Sequence, residues 1–369
     1  MRVNKFILIA LSFPLLAANG VTTLAVLPPV QGNPRNTEGD FIRLRDGRIL
    51  FVYSKFTGGG EDHATAHLAS RFSRDEGQTW SDQDHVAVPN EAQMNVMSVS
   101  LVRLRSGEIA LFYVRKNSLL DARTYMRLSK DESRTWSEPV LCIPDRGYYV
   151  LNNGRATQLK SGRLVLPVAR HPNKSGEPEG FVARGTAMCY LSDDQGKTWR
   201  RSRGIIEPPN ASPSGLQEPG IVELKDGRLL MYMRTSLGSQ YFSWSRDGGE
   251  TWSEAVPSSL LSPLSPATIK RIPKTGDLLA VWNDHSHVDD AIRTGGKRTP
   301  LTIAISRDEG KTWEHRKNIA DDPEGWYCYT AVAFIGDRVL LSYNAGGSGL
   351  PRLSRSVMSY FDLKWLYSE

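Results

Sequence analysis

The sequence predicts an all-β protein folded as a six-bladed β-propeller. Three observations predict it. An octet of the form S-x-D-x-G-x-T-W occurs five times, a β-hairpin pattern occurs six times, and no helical apolar period lies between them.

The octets begin at Ser73, Ser129, Ser192, Ser245 and Ser306, separated by 56, 63, 53 and 61 residues. One supersecondary unit therefore recurs along the chain. Four copies are complete, and the second, SKDESRTW, carries Ser133 where the others have Gly. An Asp side chain can bond main-chain N–H groups two residues on and close a turn. The Gly two positions later supplies a positive φ without a Cβ penalty. Thr and Trp suit a returning strand, with the indole packed between neighbouring units. The octets thus read as folding elements and not as part of a binding site.

The hairpins follow "apolar-x-apolar-x-L-x-x-G-x-apolar-apolar" and begin with Phe41 to Phe51. They recur at Ser100 to Phe112, Arg155 to Val168, Gly220 to Met233, Ala267 to Trp282 and Thr330 to Tyr343. Asp-Gly and Ser-Gly pairs at their tips are hairpin turns between alternating strands. The sixth unit lacks its octet. It is expected to close the ring with an N-terminal strand near Val21 to Leu27 and the segment Ser354 to Leu366, leaving few free strand edges.

Composition agrees. The 369 residues are 40% hydrophobic and 23% charged, with 32 Gly, 21 Pro and 9 Trp, as in a turn-rich soluble β protein. The net charge of +6 is dispersed, without a long basic run, which argues against a nucleic-acid partner and fits an anionic small substrate as well as a solvated surface. Arg2 and Lys5 precede the 12-residue apolar run Phe6 to Ala17, too short for a comfortable membrane span. Residues 1–25 therefore read as a secretory signal, with cleavage at Ala18 to Gly20 or at Ala25, and 26–369 as one domain. The expectation is a secreted or periplasmic monomer with no membrane span. Cys142, Cys189 and Cys328 are too few and too scattered for a disulfide scaffold. Neither C-x-x-C nor H-E-x-x-H occurs, so no zinc site or other cofactor is expected.

In a propeller, the ends of the inner strands and their loops converge on the axis at one face. The fourth hairpin unit runs from Gln217-Glu218 to Met233-Arg234, so its two ends can bring a carboxylate and a guanidinium to one site. Other polar residues at comparable positions are Asn95, Arg115, Asn153, Arg155, Arg170, His171, Asn283 and His285.

Five octets on six hairpins resemble the sialidase (neuraminidase) superfamily, the BNR or Asp-box proteins, over essentially the whole mature chain. The resemblance implies a sialidase-like propeller and an exo-glycosidase that removes a terminal, anionic sugar from a glycan with retention. It implies Glu218 as the base and Arg234 as a carboxylate-binding arginine. Lys297-Arg-Thr-Pro-Leu301 is similar to the segment carrying a second such arginine, here Arg298; paired guanidiniums can each grip a carboxylate bidentately. Trp326-Tyr-Cys-Tyr-Thr330 resembles the strand of the nucleophilic tyrosine, Tyr329 by position with Tyr327 as the alternative. The loop Gly58-Gly-Gly-Glu-Asp-His63 resembles the one that bears the acid/base, here Asp62 with His63 beside it. A Tyr nucleophile is the sialidase exception among glycosidases, and a neighbouring Glu must take the phenol proton.

The chain also departs from the family. The Arg-Ile-Pro that usually opens the first inner strand is absent; Asn36-Thr-Glu-Gly-Asp-Phe41 stands there, with Arg35 nearby and out of register. Glu38 and Asp40 would repel a substrate carboxylate unless paired with Arg or protonated. Lys55 stands roughly where the family has another basic residue. These departures keep two other functions open: a propeller hydrolase or lyase for another saccharide such as a uronic acid, and a noncatalytic carbohydrate-binding propeller.

Overall fold

The computed structural model describes residues 20–369; most of the segment read as a secretory signal, residues 1–19, lies outside the described residues. The fold is a six-bladed propeller of four-stranded blades. Blade 1 is Arg35–Arg43, Ile49–Phe56, Ala66–Ser73 and His85–Val88. Blade 2 is Asn95–Arg103, Ile109–Ser118, Asp121–Ser129 and Val140–Leu141. Blade 3 is Thr157–Gln158, Leu164–His171, Thr186–Ser192 and Arg200–Ile206. Blade 4 spans Gln217–Glu223 to Val256–Leu261, and blade 5 spans Thr268–Arg271 to Glu314–Ala320. Blade 6 joins Gly325–Ile335, Arg338–Gly347 and Leu350–Asp362 to the N-terminal strand Thr22–Leu27.

That last strand closes the ring as expected, with Thr22 opposite Tyr360 and Leu27 opposite Ser356. A cut after Ala25 would divide it, whereas one near Gly20 leaves it whole. The C-terminal strand begins and ends four residues earlier than the expected segment Ser354 to Leu366: it spans Leu350–Asp362, and Leu363–Tyr367 is a short helix. An extra strand, Tyr148–Val150, lies between blades 2 and 3, parallel to Ala122 and antiparallel to Ala169–His171. It fuses the two blades into one sheet.

The core lies between blades. Six clusters of buried apolar side chains each fill the seam between two neighbours around the ring. The octet tryptophans Trp80, Trp136, Trp199, Trp252 and Trp313 each plug one seam. The seam between blades 5 and 6 receives Leu363, Trp365 and Leu366 from the C-terminal helix instead. The helix thus stands in for the octet that blade 6 lacks.

The octets close their turns by a longer reach than the sequence reading assigned. In the first, Asp75 accepts from the Thr79 N–H at 2.8 Å and the Thr79 hydroxyl at 2.6 Å, four residues on, while the Ser73 hydroxyl accepts from Gly77 N at 2.8 Å. The turn needs a left-handed residue at the Gly position, where φ is 91° for Gly77 and 68° for Ser133. The three cysteines are buried and free. Among the described residues, no helix is long and apolar enough to cross a membrane.

Two stability predictions follow. Ser133 bears a Cβ in a left-handed conformation, and its hydroxyl is buried without a partner. Ser133→Gly is expected to stabilise the protein by about 1 kcal/mol, seen as a higher melting temperature. Leu366 is 0% exposed in the octet-free seam. Leu366→Ala is expected to cost about 3 kcal/mol in denaturant unfolding, and an unchanged midpoint would remove the helix from its assigned role.

Candidate active site

Four inner strands carry the same irregularity. The pairing register shifts between Thr37 and Asp40, Met97 and Ser100, Gln217 and Gly220, and Cys328 and Ala331. Within each shift one non-glycine residue is left-handed: Glu38 at φ 50°, Ser98 at 62°, Glu218 at 46° and Tyr329 at 55°. Such bulges re-aim a side chain, and each left-handed side chain costs about 1 to 3 kcal/mol unless its surroundings hold it. Here all four line one cavity, with Asp62, Lys116, Tyr148 and Asn152. Bonds across the ring hold the bulges: Asn153 Nδ2 donates to Gly39 O at 2.9 Å and Tyr329 O at 3.1 Å, and Thr268 donates to Thr330 O at 2.7 Å.

On one side of the cavity, the Tyr329 hydroxyl donates to Glu218 Oε1 at 3.2 Å, and Arg234 Nη1 donates to Glu218 Oε2 at 2.8 Å. Burial would raise the Glu218 carboxyl, but Arg234 and Arg298 outweigh it and hold the group below the usual range. Burial and the Glu218 charge push the Tyr329 phenol well above its ordinary value. The Arg298 guanidinium lies 5.8 Å from the Tyr329 ring centre and 5.2 Å from that of Trp326. Its Nε and Nη1 are buried without partners, as is Arg234 Nε.

On the other side, Arg35 is 2% exposed and lies 4.6 Å over the Phe56 ring. Its Nη1 donates to Asp62, and its Nη2 reaches Glu38 at 3.4 Å. Asp62 is 59% exposed, and Arg35 overcomes its desolvation to hold its carboxyl below the usual range. Glu38 also bonds the Ser98 hydroxyl, and burial, against Arg35 and Ser98, pushes it up to about 7. Lys116 is 4% exposed, donates to Asp62 O at 2.8 Å and lies 5.6 Å from the Tyr148 ring centre. Asn152 adds a buried Nδ2 with no partner.

The structure therefore brings Glu218, Arg234, Arg298, Tyr329, Asp62 and Glu38 together. It restores Arg35, which the sequence reading set aside as out of register: the bulge at Glu38 absorbs the offset. Tyr327 is instead packed in the seam between blades 5 and 6, with its ring 6.1 Å from that of Tyr343. His63 is exposed on the Asp62 loop.

Other expected site residues serve elsewhere. Lys55 points away from the cavity and pairs with Asp84 at 2.6 Å, because strand alternation sends its neighbour Phe56 inward to Arg35. Arg170 is exposed in a separate groove with Arg201 and Glu207. Asp40 lies outside the cavity lining and accepts from Phe41 N at 2.9 Å and Leu101 N at 2.8 Å; burial, opposed by Lys270, pushes it up to about 6. Arg155 bonds Tyr232 at 2.7 Å and Ala267 O at 2.6 Å, tying blade 3 to blades 4 and 5. Arg115 pairs with Glu91 at 2.6 Å. His171 stacks on Phe181 with ring centres 5.6 Å apart, and burial lowers its imidazole. Asn283 and His285 bond the main chain at Pro300 and Lys297, beside Arg298. Asn95 Nδ2 holds the acid loop at Asp62 O (3.0 Å) and Ala64 O (2.9 Å).

Sequence reasoning missed Ser98, Lys116, Tyr148 and Asn152. Ser98 carries a readable signal. It precedes Leu104 by six residues, as Glu38 precedes Leu44, Glu218 precedes Leu224 and Tyr329 precedes Ile335.

A family model described as a BNR repeat-like domain matches residues 47–341. The anhydrosialidase of Macrobdella decora is 28% identical over 256 residues, covering 62% of this chain and 30% of that protein. The sialidase of Micromonospora viridifaciens is 26% identical over 413 residues, covering 97% of this chain and 60% of that one. The chain thus spans well under two thirds of these relatives' own lengths. Among solved structures, a protein of unknown function from Dyadobacter fermentans superposes with TM-score 0.71 at 18% identity, covering 93% of this chain and all of that one. The leech intramolecular trans-sialidase complexed with 2,7-anhydro-Neu5Ac gives 0.69 at 16%, covering 95% and 71%. At these identities the structural likeness speaks to the fold alone.

Asn95→Ala should release the loop that carries Asp62. Hydrogen exchange is expected to quicken across residues 58–66 while the blade strands keep their protection; uniform quickening would make Asn95 a general stability residue.

Proposed function

The chain belongs to the BNR repeat-like domain family, within the sialidase superfamily, and from that premise we propose that it is a retaining exo-glycosidase acting on a terminal sugar that bears a carboxylate. The observation that carries this reading is the Tyr329–Glu218 hydrogen bond at 3.2 Å in a cavity shared with Asp62.

The roles follow from the electrostatics. The free phenolate is not accessible near neutral pH, so Tyr329 must lose its proton as it attacks the anomeric carbon. Glu218, kept ionised by Arg234 and Arg298, is the acceptor for that proton. A neutral nucleophile of this kind avoids setting a second negative charge beside the substrate carboxylate. Arg298 and Arg234 offer unbonded donors to that carboxylate. Asp62 is the general acid for the leaving oxygen and later the base for the incoming water. In the free protein Arg35 holds it ionised, so it can carry a proton only once Arg35 turns to the substrate.

A paired-carboxylate mechanism is less well supported. Glu38 and Asp62 bond the same guanidinium on one side of the cavity, and Glu218, on the other, already accepts from the Tyr329 hydroxyl and Arg234. The proposal includes export. The apolar run Phe6 to Ala17 supports it, with removal before Thr22 so that blade 6 keeps its N-terminal strand.

The test is turnover of a fluorogenic α-sialoside by the mature protein and by Tyr329→Phe. Wild-type turnover is expected, with kcat falling by about 10³-fold or more in the variant. Labelling by 2,3-difluorosialic acid should place the adduct on the peptide containing Tyr329. Folded wild-type protein that binds the sialoside without turnover would make this a lectin-like propeller instead.

A further inference from the structure

Arg35 is the one guanidinium of the site that two carboxylates share. Asp62 and Glu38 both bond it, while Arg234 pairs with Glu218 alone. Glu38 is 5% exposed and lines the cavity. Its second oxygen is held by Ser98, and both residues sit in left-handed bulges of adjacent blades. The carboxyl group therefore cannot swing into solvent when a ligand arrives. An anion approaching the Arg35 Nη groups meets two carboxylates already bonded to them.

The charged and titratable groups that face Glu38 are Arg35, Asp62, Glu218, Lys116 and Tyr148. A substrate carboxylate adds another negative charge to this set. Two like charges sharing a guanidinium cannot both stay ionised without cost, and the cheaper resolution is protonation of one. Glu38 is suited to take that proton. Burial already places its titration near neutrality, while Arg35 holds Asp62 ionised and two arginines hold Glu218 ionised.

We propose that Glu38 is a specificity-determining gate on Arg35: when neutral it yields the guanidinium to the carboxylate of an anionic sugar, and when ionised it repels that carboxylate. Binding above neutrality then takes up one proton, which moves from buffer to a Glu38 oxygen. The inference rests on the anionic-sugar reading of the site.

The experiment is calorimetric binding of the unreactive 2,3-dehydro-2-deoxy analogue of sialic acid at about pH 5.5 and about pH 8, in buffers of differing ionisation enthalpy. For wild type, affinity should fall about tenfold from the lower to the higher pH, with proton uptake at the higher. Glu38→Gln should bind at both with the wild-type low-pH affinity and take up one proton fewer than wild type at the higher pH. A variant that keeps the wild-type pH dependence overturns the gate, as does one that loses binding at both pH values, which would make Glu38 a direct contact. Failure of wild type to bind at either pH would overturn the anionic-sugar reading itself, and the gate with it.

Melting gives a measure independent of ligand. A carboxyl whose folded-state value is raised stabilises least once pH passes that value, so Glu38→Gln should melt higher than wild type at about pH 8 and equally at about pH 4. Asp40 titrates in the same window but is common to both proteins. Equal melting at both pH values would show that Glu38 carries no such penalty and would also overturn the gate.

Discussion

The site depends on one backbone constraint, the left-handed bulge that interrupts four of the six inner strands. A regular strand would alternate its side chains between the two seams beside it, and none would face the axis. The extra residue turns Glu38, Ser98, Glu218 and Tyr329 out of that alternation and into one cavity. Left-handed non-glycine residues are costly, and bonds from elsewhere in the ring hold the bulges at Glu38 and Tyr329. Asn153 alone bonds two of them, at Gly39 and Tyr329. The closed ring is therefore a condition of the site, and the strand Thr22–Leu27 that closes it belongs to the functional architecture as much as to the fold.

The second constraint is electrostatic. Burial opposes every charge in the cavity, so each survives according to its partners. Two arginines outweigh burial at Glu218, and Arg35 does so at Asp62. At Glu38 burial wins, because its arginine is shared with Asp62 and is 3.4 Å away. Three carboxyl groups within one pocket thus divide into two held ionised and one pushed toward neutrality, set by how the guanidiniums are divided among them. Such separation is what acid–base chemistry near neutral pH requires.

Much of the fold was legible in the sequence because its signals are local. The octet encodes its own turn, and the hairpins fix their own register. Even the ring closure could be read, since blade 6 lacked an octet and an unassigned N-terminal strand remained. The C-terminal helix was not legible: its residues replace an octet tryptophan in a seam, a role defined only by the partner blade. In the site, Glu218 and Arg234 could be read because they end one hairpin. Lys55 and Arg170 were misread for want of facing information, since each is the outward neighbour of an inward residue, Phe56 and His171. Arg35 was set aside because a bulge adds a residue that strand counting does not see. Lys116 and Tyr148 come from a second strand and an inserted one, and only the assembled sheet brings them to the cavity.

The seams explain how such a pocket is tolerated. Six apolar clusters lie between blades, and the polar, strained groups sit above them near the axis. Stability and chemistry are thereby assigned to different parts of each strand: the inner strand's apolar residues grip the seam, while its bulged end faces the cavity. A change at the bulge can alter proton affinity or substrate preference without opening a seam, because the six-residue offset to Leu44, Leu104, Leu224 and Ile335 keeps the buried anchor distinct from the functional tip. The departure at Glu38 is of this kind. An acid buried in an apolar seam without a partner would carry its full desolvation cost. At the bulge it lies beside Arg35 and Ser98, and its burial becomes a means of setting a proton affinity.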